Sequence, residues 1–105
     1  MPMISRGFVH QAQLRDEIDQ AKRALDPREV RDVQFTLETD SSGEPAIFFS
    51  ILLTPYGSKE SRLAEVTGRV ASTLFDTIQP YNRWGLQSYF SFTSDPAHYG
   101  NPEWM

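Results

Sequence analysis

One segment constrains this chain more than any other. From Ala46 to Leu53 it reads Ala-Ile-Phe-Phe-Ser-Ile-Leu-Leu. Side chains of a β-strand alternate between two faces. Ile47, Phe49, Ile51 and Leu53 form one face, and Ala46, Phe48, Ser50 and Leu52 form the other. Both faces are largely apolar, and such a strand needs cover on both. That cover comes from helices of the same chain, from another protein or from a second copy. The 105 residues are 39% hydrophobic and 23% charged, enough for one core and not two. The expectation is a single α+β domain over residues 1–105, with an irregular tail at 94–105.

The rest of the pattern supplies the other elements. Leu14, Ile18, Ala21 and Leu25 recur at helical spacing, so His10 to Leu25 is expected to be a helix with a narrow apolar stripe. Asp26-Pro27-Arg28-Glu29 reads as a short turn, with Asp26 placed to cap it and Glu29 where a capping-box acid belongs. Asp32 to Thr39 alternates Val33, Phe35 and Leu37 with polar residues, a half-buried strand. The Asp40–Pro45 cluster makes a hairpin of it with Ala46 to Leu53. Leu63, Val66, Val70, Ala71, Leu74, Phe75 and Ile78 give Arg62 to Gln79 a broad apolar stripe, and Pro80 ends that helix. Ser58 or Ser61 is the expected cap, and Ala64, Gly68 and Ser72 line up small residues along one edge. Tyr81 to Gly85 reads as a connection and Leu86 to Thr93 as a third strand.

The order helix–strand–strand–helix–strand allows a right-handed crossover between the second and third strands. Placing the third strand beside the first gives a three-stranded, mostly antiparallel sheet of order 2-1-3. This is a split βαβ arrangement of the ferredoxin-like type, less one strand. The doubly apolar second strand is then an edge, which is an aggregation risk unless it is paired.

The chain has no cysteine, which excludes disulfides, thiolate nucleophiles and Cys-ligated metal or iron–sulfur sites. It lacks a Gly-x-Ser-x-Gly elbow, a Gly-x-Gly-x-x-Gly loop and a Walker loop. His10 and His98 are the two histidines, and their spacing builds no metal or catalytic cluster, although Asp95 lies near His98. No cofactor is expected. Lys and Arg number 10 against 14 Asp and Glu. Residues 36–105 hold four of those bases and eight of the acids, which disfavours a phosphate-backbone surface. A Gly-x-x-Gly loop of the KH type is absent. No apolar run is long enough for a secretory signal or a membrane span, so a cytoplasmic location is expected.

What remains is interaction chemistry. Tyr, Trp and Arg are enriched at binding hot spots. Phe48, Leu52, Tyr81, Arg83, Trp84 and Trp104 are the expected interface residues. Ser58, Lys59 and Arg62, at a helix start, are candidates for holding a small anion. The expected function is a non-catalytic protein–protein interaction module, dimeric or companion to another protein in the manner of an antitoxin, immunity or adaptor subunit. The alternative is a domain that binds a small anionic ligand or RNA.

Overall fold

The fold is described from a computed structural model, for residues 5–94. A short helix α1 (Arg6–Val9) leads into α2 (Gln11–Arg23). Strands β1 (Val30–Thr39) and β2 (Pro45–Leu53) follow. Then come α3 (Glu60–Ile78), α4 (Pro80–Trp84) and β3 (Gln87–Ser94). The molecule is α+β, a three-stranded mixed sheet with helices on one face.

The strand order is β1-β2-β3, which corrects the expected 2-1-3. β2 pairs antiparallel with β1, with Phe35 opposite Phe49. It pairs parallel with β3, with Phe49 opposite Phe90. The doubly apolar strand is therefore the centre of the sheet and not an edge, and the sheet is mixed. The physical reason lies in the strands themselves. A central position buries the most side-chain area, and β2 has the most apolar area to bury. β1 carries Asp32, Gln34, Thr36 and Glu38 on one face, so it tolerates an edge.

The helices cover the face formed by Ile47, Phe49, Ile51 and Leu53, all buried. Leu14, Ile18 and Ala21 of α2 and Val66, Val70, Leu74 and Ile78 of α3 fill the core against them. Each fully buried aliphatic side chain contributes about 1.5–3 kcal/mol relative to exposure. Phe49 and Phe90 stack across the two parallel strands, 5.2 Å between centroids. The opposite face of the sheet carries no element among the described residues. There Phe48 stacks on Tyr89 at 4.9 Å. Leu52 is half-buried among Asp32, Gln34, Ser50 and Thr93.

α3 ends where Gln79 adopts a left-handed conformation (φ 49°) and its N–H donates to the Phe75 carbonyl at 2.8 Å. Pro80 then starts α4, which was expected to be an irregular connection. Pro suits a first helical position because it has no N–H to leave unpaired. α4 turns Trp84 into the core at 2% exposure. The α3 cap differs from expectation too. Lys59 occupies the N-cap with no side-chain bond, while the Ser58 hydroxyl donates to the Thr54 carbonyl at 2.9 Å.

Candidate interaction surface

With β2 in the middle, both outer strands have a free edge among the described residues, and the two edges differ chemically. β1 carries Arg31, Asp32 and Glu38. Its flank under α2 is charged as well: Lys22 pairs with Asp32 at 3.3 Å, and the Arg15 guanidinium lies 5.0 Å from the Phe35 ring centre. Charged residues on an edge discourage a second strand from pairing there. β3 reads Gln-Ser-Tyr-Phe-Ser-Phe-Thr-Ser, with no charge and no proline along its length. It is the undefended edge.

The helix beside β3 continues the same surface. Residues at helical spacing share a face. Leu63, Ala64, Thr67, Gly68, Ala71 and Phe75 therefore form one flank of α3, and it carries no charge. Leu63 is 40% exposed and Phe75 48% exposed. A β-carbon placed on Gly68 would meet nothing within 4 Å, so no part of the described fold packs over it. Between this flank and the end of β3 runs an open groove of about 510 Å³, lined by Leu63, Ala64, Thr67, Gly68, Phe92 and Leu53 among others.

Arg62, Glu65 and Arg69 of α3 lie on its other side and are paired. Glu29 is buried, and its carboxylate accepts from Arg62 at 2.5 Å and from Arg69 at 2.7 Å. Arg69 also reaches Glu65 at 2.8 Å, and its own pKa is raised, chiefly by the bond to Glu29. The preceding loop locks this corner. The Thr54 hydroxyl donates to the Arg28 carbonyl at 2.5 Å and accepts the Gly57 N–H at 3.0 Å. A β-carbon on Gly57 would stand 2.3 Å from the Glu29 carbonyl oxygen, so only glycine fits there.

The expected site residues are dispersed. Phe48 and Leu52 share the uncovered sheet face, half-buried. Tyr81 is 63% exposed on α4. Arg83, next but one, is held by Glu17, with 2.6 Å for one of the two bonds, which raises the arginine's pKa. Trp84 presents no ring to a partner because it lies in the core, with the Arg6 guanidinium 5.5 Å from its ring centre. Trp104, His98 and Asp95 lie outside the described residues. Of the three candidate anion ligands, Ser58 bonds to Thr54 and Arg62 to Glu29. Lys59 and Arg62 lie over the Tyr56 ring, at 5.6 and 4.3 Å. Among the described residues no group of three or more His, Asp or Glu is placed to hold a metal. No helix there is long and apolar enough to cross a membrane.

Two groups of residues escaped sequence reasoning. Glu29 looked like a local cap, and nothing in spacing alone ties it to Arg62 and Arg69 more than thirty residues on. Leu63 and Phe75 looked like core residues of a broad stripe. The signal that separates them is the uncharged Ala64–Gly68–Ala71 line they flank. The chain matches no protein-family model, no curated protein and no solved structure.

Proposed function

We propose that this chain is a non-catalytic protein–protein interaction module that associates through the β3 edge and the adjoining flank of α3. The observation that carries the reading is the contrast between the two edges. One is charged and roofed by a charged helix; the other is uncharged, proline-free and continuous with an exposed apolar groove. An exposed apolar surface next to an open strand edge is the common form of a docking site. A companion subunit of the antitoxin, immunity or adaptor type would use such a surface. The alternative of a small-anion or RNA site has less support. Arg62 is committed to Glu29, and Arg83 to Glu17.

The test compares native extracts containing the tagged chain and its Leu63→Glu/Phe75→Glu variant. The wild type is expected to elute as an assembly larger than the 12.0 kDa chain. The double variant is expected to elute at single-chain mass with an unchanged far-ultraviolet spectrum. A wild type that elutes as a lone chain in the extract overturns the reading.

A further inference from the structure

Resting on that reading, we infer that the occupant of this surface is a second copy of the same chain, with β3 paired antiparallel to its own copy about Ser91 to form a continuous six-stranded sheet.

The surface needs a partner with two layers. A single added strand would satisfy the β3 edge but leave the helix flank open. Leu63 and Phe75 lie twelve residues apart, about 18 Å along α3, and both are exposed. Covering them takes a helix beside α3 as well as a strand beside β3. The chain presents that combination itself.

Symmetry then fixes the arrangement. Two antiparallel copies of one strand are related by a two-fold axis normal to the sheet, so the helices of both copies lie on the same side and meet at the seam. β2 and β3 are parallel, so α3 runs back against β3. The groove sets Leu63–Gly68 level with Phe92–Ser94. The middle of α3 is Arg69, about 5 Å further along the helix, which corresponds to about one and a half residues back along β3. That brings Arg69 level with Ser91, near the middle of β3. One axis therefore serves both elements.

About that axis Leu63 of one copy faces Phe75 of the other, each being six residues from Arg69. On β3, Phe90 falls opposite Phe92 of the copy on the helix side, and Tyr89 opposite Thr93 on the open side. Two aromatic cross-strand pairs result. The charge pattern permits self-pairing here in particular. The chain carries a net charge of -4, so two copies repel each other on average. β3 and the Leu63–Phe75 flank carry no charge. The two antiparallel α3 dipoles also oppose each other favourably.

The chain has no cysteine, so single-cysteine variants of the full chain report the seam directly. The experiment measures mass by light scattering across a dilution series, then mild oxidation of Ser91→Cys and of Thr36→Cys, which stands on the β1 edge. The expected result is twice the chain mass at the concentrated end. Ser91→Cys should crosslink on the order of tenfold faster than Thr36→Cys, because only the former brings two β-carbons within disulfide reach. A chain that stays single at every concentration overturns the proposal, as does a dimer in which Thr36→Cys crosslinks faster. If the purified chain is single while the extract still holds a larger assembly sensitive to Leu63→Glu/Phe75→Glu, the partner is another protein. The second-copy inference then fails and the interaction reading stands.

Discussion

Asp40 shows how much one side chain organises. Its Oδ1 accepts the Ser42 hydroxyl at 2.7 Å and the N–H groups of Ser42 and Glu44, both at 2.9 Å. Its Oδ2 accepts the Tyr89 hydroxyl at 2.8 Å, which ties the β1–β2 turn to β3. Hydrogen bonds to the charged form favour it, so the carboxyl pKa falls from 3.8 to about 2, led by the Ser42 hydroxyl. The Tyr89 phenol moves the other way, upward, because its proton is engaged by Asp40. The folded value lies below the unfolded one. The contribution is therefore whole above pH about 4 and is lost as pH falls through about 2. A carboxyl titration followed by NMR should place the Asp40 midpoint near 2, with the Ser42 and Glu44 amide signals moving in step. A midpoint near 3.8 would mean the turn is not closed in this way. The sequence shows the turn, because Asp-Ser-Ser-Gly-Glu-Pro is dense in turn formers. It does not show Tyr89 as a partner, because 49 residues separate the two and only sheet pairing brings them together.

At the scale of elements, Glu29 joins the start of β1 to α3. The carboxylate is buried while Arg62 and Arg69 stay partly in water. Removing one member of a buried pair costs about 3–5 kcal/mol, and partial solvation of the arginines reduces this to about 2 kcal/mol here. Glu29→Ala should lower urea-unfolding stability by about that amount. Glu65→Ala, which removes only an exposed i,i+4 partner of Arg69, should cost no more than about 0.5 kcal/mol. Equal losses would show that Glu29 is no more than a surface partner. The major elements were legible because their side-chain periods are strong: Val66, Val70, Leu74 and Ile78 of the expected α3 stripe are buried while Leu63 and Phe75 are exposed, and in β1 Val33 is buried with Phe35 and Leu37 half-buried. α4 was not legible. Five residues are too few to show a helical period, and the Tyr-Asn-Arg-Trp-Gly composition reads as a loop until the core is seen to receive Trp84.

For the molecule as a whole, the outcome turns on which strand takes the centre. A central β2 places Phe48 on the open face, one strand in from the β3 edge and stacked on Tyr89. Phe48→Glu should therefore cost about 1–2 kcal/mol of stability through lost stacking and burial, and should leave the associated mass unchanged. A fall to single-chain mass would put the open sheet face, and not the β3 side, at the seam. The α+β class, the β1–β2 hairpin and the two main helices were legible in the sequence, whereas the expected cover of β2 on both faces is supplied among the described residues on one face only. The legible features follow from local periodicity, which each segment carries within itself. That β3 lies beside β2, that Trp84 turns inward and that the uncharged edge belongs to β3 emerged with the packing of the whole chain. Strand order depends on the total area buried by competing pairings. That quantity belongs to no single segment and is set only when all the segments pack together.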